Sequence, residues 1–428
     1  MPSNEGRPPA AGVAARLSTP RQILLSCFWF ASNLQWGALL GIVLPSQIAS
    51  VVGEHRKELF NGLIPPIGAL FALVLAPLAG ALSDRSRNRF GRRRPFLLVG
   101  TAINVLFMLA LARFGHGSSV ALFVLVYLGV QLGGNWAGGP YAGLIPDLVP
   151  AAQRGSASGW MALMASLGTL VGALAAGQLV RGGNYVPIDL LIVVVLVLML
   201  AVTLAGVRER PALDAPAPLG LGAFLRTFLL SPRRYRDFYW VLLTRAMVTM
   251  GIYSVFTFFE YFLKDVIRVR DPEQQASYLI GVIIAGGIVT AIIGGRLSDR
   301  WGRKPLVYLS GGTMALASII FVAVAFHPSL AFMFVVGGLF GLGYGAYQAV
   351  DWALAIDVLP GGGSAAKDMG IWHVALVLPQ VVAPAVTGLT LTALKGVSLL
   401  LGYNAVFVMT AAWFVLGTVF VRQVRGAR

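Results

Sequence analysis

Charge is what this chain lacks. Asp, Glu, Lys and Arg make up 12% of its 428 residues, about half the share of a soluble domain. A water-facing globular surface cannot be covered with so few. Acids are scarcer than bases, 17 against 33, leaving a formal charge of +16. There is one cysteine, Cys27, so no internal disulfide and no thiolate metal cluster can form. None of the four histidines has metal-ligand spacing with Cys or Asp, and no metal site is expected. No GxxxxGK[ST] loop occurs, which argues against a self-contained ATP-driven pump. Chain order offers no Ser–His–Asp set, so neither covalent catalysis nor a cofactor is expected; this is not an enzyme's sequence.

What is abundant is apolar. Hydrophobic residues make up 57% of the chain. They fall into twelve runs of roughly 20 residues, each long enough to cross a hydrocarbon core of ~30 Å. The runs lie near 21–45, 59–82, 94–113, 119–148, 156–180 and 188–207, then near 236–263, 276–297, 305–326, 329–358, 367–393 and 399–421. Gly (51) and Pro (23) are frequent, as in helices that pack closely or bend inside a bilayer. About 20 polar, Ala- and Pro-rich residues precede the first run, with no cleavable-signal pattern.

The chain repeats itself. Gly80–Pro95 reads GALSDRSRNRFGRRRP and Gly295–Pro305 reads GRLSDRWGRKP; each follows one apolar run and precedes another. Pro95 and Pro305 stand 210 positions apart, as do Asp147 and Asp357 in IPDLVP and AIDVLP. A basic hairpin repeated once per half-chain marks a duplicated transporter. The expected fold is an all-α membrane protein of twelve transmembrane helices in two pseudo-symmetric six-helix halves. The expected division is a tail at 1–20, a first half at 21–207, a linker at 208–235, a second half at 236–421 and a tail at 422–428. The linker carries Pro211, Pro216, Pro218 and Pro232 and a short amphipathic stretch around Leu221–Leu230.

A chain this basic would suit nucleic acid, but the distribution of charge decides otherwise. With both termini cytoplasmic, 24 of the 33 Lys and Arg fall in inside loops and tails, eight fall outside and Arg245 lies within a span. That bias obeys the positive-inside rule and sets the excess charge against anionic inner-leaflet lipid. The expected location is the inner, cytoplasmic membrane. The Ala- and Arg-rich tails suit a bacterium of high genomic GC content. The expected partners are membrane lipid and a small-molecule solute, with no nucleic acid, and the expected state is a monomer.

These residues resemble the major facilitator superfamily over nearly the whole chain. The longer first motif, PLAGALSDRSRNRFGRRRPFLLVG, is similar to the sucrose-transporter and glycoside–pentoside–hexuronide branch. So are GGNWAGGPYAGLIPDLVPAAQRGSASG and the Leu376–Gln380 stretch LVLPQ. The resemblance implies secondary transport of a sugar or glycoside by alternating access, with a proton as the coupling ion and symport as the mode. It also implies that spans one, four, seven and ten line a central cavity. Two features depart from the pattern. Gln131 and Ala142 occupy the places of the acid and the arginine that plant-type proton–sucrose symporters carry in helix four. The fifth span, Trp160–Gly177, lacks the Gly-Pro pair of drug/proton antiporters. Export of drug-like or amphiphilic compounds is the alternative reading, and a transport-dead sensor or scaffold a third.

Three groups of residues are candidates for function. The first is the repeated loop: Asp84, Arg85, Gly91, Arg92 and Arg93, echoed by Asp299, Arg300, Gly302, Arg303 and Lys304. Here Gly permits a tight turn, and an Asp at a helix end facing Arg can pair in one conformation and part in another. Anchoring to lipid headgroups is the plainer role. The second group is intramembrane charge, each costing roughly 2.5–3.5 kcal/mol at mid-bilayer on insertion scales unless paired. Arg245, about 13 Å into span seven, and Asp351, about 10 Å into span ten, match in depth and can form an ion pair. Spacing alone leaves two readings of that pair, functional and static. Glu260 lies near the opposite mouth, close to Lys264 in sequence. Asp351 and Glu260 are the candidate coupling carboxylates. The third group is amide and aromatic side chains on the expected cavity spans: Asn33 and Trp36, Gln131, Asn135 and Tyr141, then Tyr347 and Gln348. Amides suit vicinal hydroxyls and flat rings suit sugar C–H faces; the same residues also glue helices together. His373 and Trp372 fall in span eleven, where a lone His is more often a packed residue than a proton carrier.

Overall fold

Backbone amides find no water in hydrocarbon, so an apolar run of span length closes its hydrogen bonds on itself as a helix. A computed structural model describes residues 16–115, 117–150, 153–180, 183–206, 209, 235–357 and 365–424. Most of the expected tails and linker (1–15, 210–234 and 425–428) lies outside the described residues. So do the side chains of Asp299, Arg300, Trp352, Trp372 and His373.

Among the described residues, twelve helices are long and apolar enough to cross a membrane. They are α1 (Thr19–Val52), α2 (Lys57–Asp84), α3 (Arg94–Phe114), α4 (Val120–Ala142), α5 (Arg154–Leu179) and α6 (Val186–Gly206). The second set is α7 (Arg236–Phe256), α8 (Pro272–Trp301), α9 (Arg303–Phe326), α10 (Leu330–Asp357), α11 (Ala365–Lys395) and α12 (Leu399–Phe420). The end of the bundle that carries the α2–α3 loop is called the arginine end below, and the other the far end.

Local sequence explains the ends and breaks. Pro20 and Pro95 sit in the first turns of α1 and α3, where a missing N–H leaves no helical bond unmade. Ser119 caps α4 by accepting from the Leu122 amide at 3.3 Å. Just before Pro45, α1 widens into a π turn at Leu39–Val43, the usual relief where a proline removes a donor. The seventh span differs from expectation: its helix stops at Phe256 rather than near 263. A short helix, Phe259–Phe262, and a π turn, Leu263–Ile267, carry the chain on, ending at Arg268 with φ 58°.

Each half has its own core. Phe28, Leu34, Ile42, Phe123, Tyr127 and Ile192 belong to one, Phe238, Phe259, Phe321, Phe340 and Phe407 to the other. Phe256 packs against both. In the first half α1 lies on α5 and α6, and α4 on α2 and α3; in the second α10 lies on α8 and α9, and α12 on α7 and α9. Between halves, α2 runs along α11 and α5 along α8. The first of these contacts needs small residues: a Cβ on Gly62 would stand 2.8 Å from the Pro384 carbonyl. Close approach of this kind replaces the hydrophobic drive that lipid cannot supply. Outside, Leu106, Leu125, Val194 and Val335 are each at least 60% exposed, a belt suited to acyl chains rather than water.

Candidate functional site

The first repeated loop closes on Arg93. Its guanidinium lies 2.5 Å from Asp84 and 3.0 Å from Asp147. It also donates to Ser83 Oγ at 2.5 Å and to the Gly80 carbonyl at 3.3 Å. Arg92 adds a second bond to Asp147 at 2.6 Å. One buried arginine therefore ties the end of α2 to the short helix Leu144–Leu148 that follows α4. Arg85 takes no part in this knot among the described residues; it donates to the Ala81 carbonyl at 3.2 Å. Gly91 has φ 99°, which an L side chain tolerates poorly, and a Cβ there would meet Glu209 at 2.0 Å. Glu209 accepts the Arg93 amide at 2.9 Å and the Arg94 amide at 3.4 Å, placing a carboxylate on the N-terminus of α3. In the second copy Gly302 repeats the positive φ, at 93°, and forms the whole turn between α8 and α9. The side chains of Asp299 and Arg300 lie outside the described residues, and Arg303 is an engaged side chain.

Arg245 and Asp351 are joined by a buried ion pair between α7 and α10. Tyr347, one turn before Asp351, donates its hydroxyl to the second carboxylate oxygen at 3.0 Å. Pairing and hydrogen bonding offset part of the cost of taking both charges out of water. Gln348 is exposed and donates to Tyr344 at 3.4 Å.

The amides of the first half bond mainly to one another and to backbone. Asn135 donates to the Gln131 carbonyl oxygens of main chain and side chain at 2.8 and 2.9 Å, and Gln131 donates to Tyr127 at 2.8 Å. Asn33 donates back to the Trp29 carbonyl at 2.9 Å. Tyr141 is buried; it donates to the Leu25 carbonyl at 2.7 Å and accepts the Trp29 amide at 3.2 Å, pinning α4 to α1. Gln35 and Asn104 exchange two hydrogen bonds between α1 and α3, at 3.1 and 2.8 Å. Asn33, Trp36 and Asn135 are partly exposed.

A charged seam at the far end was not singled out from the sequence. Lys57, at the start of α2, lies 2.8 Å from Asp265 of the second half and 2.9 Å from Glu54. Lys395, at the end of α11, bonds Glu58 of the first half and reaches Asp265 at 3.1 Å. Tyr403 donates to Asp265 at 2.8 Å, and Lys264 meets Glu54 at 2.5 Å. Burial alone would raise the Asp265 carboxyl, but the Lys57 ammonium bonded to it, helped by Tyr403 and Lys395, holds it below the usual carboxylate range. Neutral bonds run beside the charges: Asn61 donates to the Thr257 carbonyl and Tyr261 to the Pro45 carbonyl, both at 2.9 Å. The signal in the sequence was the placement of opposite charges at the far-end loops of both halves.

Two further groups escaped the sequence reading. Asp147, the repeat partner of Asp357, belongs to the Arg93 knot. Asp189, in the first turn of α6, is fully buried, a fourth charged group beside the three counted in the spans. It stands at the edge of its apolar run, where spacing reads it as boundary.

The comparisons agree with this architecture. The model of the Major Facilitator Superfamily matches residues 24–366 and 271–426, and the chain belongs to that superfamily. It is a multi-pass membrane transporter and not an enzyme. Among curated relatives it is 31% identical over 185 residues to Sucrose transport protein SUT4 of Oryza sativa subsp. indica, covering 37% of this chain and 30% of that protein. The match thus spans less than a third of that relative's length. It is 24% identical over 460 residues to Sucrose transport protein SUC4 of Arabidopsis thaliana, covering 89% of this chain and 88% of the relative. It is 23% identical to Multidrug resistance protein MdtG of Dickeya zeae, covering 75% of each. Of solved structures, a bacterial homolog to the human lysosomal transporter Spinster, inward-facing and unoccupied, shares the fold. It has a TM-score of 0.71 at 16% identity, with 95% of this chain and 98% of that chain covered.

Proposed function

We propose that this transporter moves a small polar solute, a sugar or glycoside, by alternating access, with a proton as the coupling ion. The observation that carries this reading is the Arg245–Asp351–Tyr347 cluster, a buried charge pair with its own hydrogen-bond donor on two expected cavity helices. A sugar hydroxyl competes for such groups through paired hydrogen bonds, and a proton on Asp351 releases Arg245. Asn33, Trp36, Asn135 and Gln348, which are not fully buried, are the further proposed contacts; Tyr141 serves by pinning α4 to α1, and Gln131 bonds within α4 to Tyr127 and Asn135. The near-full-length similarity to a sucrose transport protein supports the solute class.

The hydrogen bonds and ion pairs between halves described above all lie at the far end, which supports a state closed there. The 24-to-8 bias of Lys and Arg supports a cytoplasmic arginine end. The resting state is then inward-open, in a bacterial inner membrane. The Arg93 knot and its echo at Asp299–Arg303 form or part as the arginine end closes and opens.

Liposomes containing the purified protein test this directly. Uptake of radiolabelled sucrose, maltose or an aryl glucoside is expected to rise when the lumen is made alkaline. Asp351→Asn should abolish that rise. The similarity to a multidrug resistance protein supports the second reading, export of an amphiphile. Absence of sugar uptake together with proton-driven movement of ethidium would favour it.

A further inference from the structure

At the far end, between the closed halves, lies a polar pocket of about 180 Å³. The first half contributes Ser46, Ala49, Ser50, Glu54 and Tyr185, and the second Glu260, Tyr261, Lys264 and Glu273. Three carboxylates face one ammonium. That ammonium, Lys264, is engaged by Glu54 at 2.5 Å. Lys57, just outside the lining, is held by Glu54 and Asp265.

The hydroxyl hydrogens are already committed. Ser46 Oγ donates to Glu273 Oε1 at 2.9 Å. Having one hydrogen, Ser46 must accept in its 2.9 Å bond with Tyr185, so Tyr185 donates. Ser50 gives its hydrogen to the Gln47 carbonyl at 2.8 Å. Every hydroxyl in the pocket is thus turned away from Glu260. The Glu260 side chain is 97% buried by residue exposure (3% exposed), and its Oε2 has no hydrogen-bond partner among the described residues. A buried carboxylate oxygen without a donor is costly, the more so beside a second carboxylate. One positive charge placed between Glu260 and Glu273 answers both deficits.

We infer that this pocket binds one monovalent cation, a proton or an alkali-metal ion, between Glu260 and Glu273. The site is separate from the Arg245–Asp351 pair, which lies toward the arginine end of α7. It is also complete only while the halves are joined, because Ser46 and Tyr185 come from one half and both glutamates from the other. An ion that binds only the joined state favours that state. The inference does not depend on which solute is carried.

The test uses the full-length protein purified in detergent, with thermal unfolding followed by intrinsic fluorescence. One series spans pH 5 to 9 in choline chloride free of alkali ions. A second holds pH 8.5 and replaces choline by Li⁺, Na⁺ or K⁺ at constant ionic strength. In one of the two, the Tm of the wild type is expected to rise by about 2–5 °C. The first series assigns the site to the proton and the second to the metal ion. Glu260→Gln and Glu273→Gln should each remove most of that rise. If either Gln variant does not purify, the other carries the test. A flat wild type in both series overturns the inference, as does a response that the Gln variants keep. Sugar uptake in liposomes is scored separately, so the solute reading and the cation site can fail independently.

Discussion

Lys57 and Asp265, 208 residues apart, meet at 2.8 Å across the closed far end. Lys57 is fully buried, and its ammonium also lies over the Tyr261 ring at 4.8 Å. A buried pair that loses one partner costs about 3–5 kcal/mol. In the proposed alternating-access cycle the far end opens, and this contact would then act as a latch, since the charges regain water when the halves part.

Lys57→Met should therefore weaken closure more than folding of either half. The readout is alkylation of Thr257→Cys, buried at the seam, in a Cys27→Ala background. Each 1.4 kcal/mol lost from the closed state raises the labelling rate about tenfold. Unchanged labelling would mean that the Gly62–Pro384 approach and the neutral bonds suffice to keep the seam shut.

The pH behaviour of the latch follows from two carboxylates at its rim. Burial opposes ionisation at Asp265 and at Glu54. The bonded ammoniums prevail, Lys57 at Asp265 and Lys264 with Lys57 at Glu54, and hold both below their ordinary range. Groups shifted down contribute stability that is full above the ordinary value, about 4, and is lost as pH falls through the lowered one. Asp265 and Glu54 thus give the latch no pH dependence of their own between 5 and 8. Asp265→Asn should lower Tm throughout that range and flatten the fall seen in the wild type below pH 4. A wild-type seam that loosens between pH 7 and 5 would contradict this.

The central pair makes a sharper demand. Arg245→Gln and Asp351→Asn should each impair folding or transport, because each strands a buried charge. The double variant should regain stability, measured as Tm, without regaining proton-dependent uptake. If uptake in the double variant still responds to the gradient, the pair is structural.

At the arginine end the two acids on Arg93 should not be equivalent. Asp84 is about half exposed (47%), and Asp147 is bonded by both Arg92 and Arg93. Exposed ion pairs contribute at most about 1 kcal/mol. Asp84→Asn should slow turnover while leaving solute affinity near wild type, and Arg93→Gln should do greater harm by releasing both acids. Glu209→Gln should cost up to about 1 kcal/mol by weakening the charge at the start of α3. Equal rates in all three variants would exclude a gating role for the knot.

Much of the architecture was legible because hydrocarbon imposes a simple rule. A run of about 20 apolar residues without water must be a helix, and the 210-residue repeat paired the halves. The Arg245–Asp351 contact was also legible, since matched depth on helices of known direction leaves few partners for a buried charge. The α7 break at Phe256 was not, because the apolar run continues through Phe262 and periodicity does not sense a change in hydrogen-bond pattern. Nor were the roles of Tyr141 and Gln35, whose residue types suit a solute as well as a neighbouring helix.

Composition, span length and the 210-residue repeat by themselves determined that this is a twelve-helix membrane protein of two related halves. Those properties act locally or sum along the chain. Only the tertiary structure decided which charges meet. Lys57 with Asp265, Lys395 with Glu58 and Ser46 with Glu273 each join residues more than 120 positions apart, and their contact depends on how two six-helix bodies lean together. The same lean leaves Glu260 Oε2 in that pocket with no hydrogen-bond partner among the described residues. No local pattern encodes that angle, because it is set by close approach of small residues such as Gly62 and by the balance of burial against pairing at the seam.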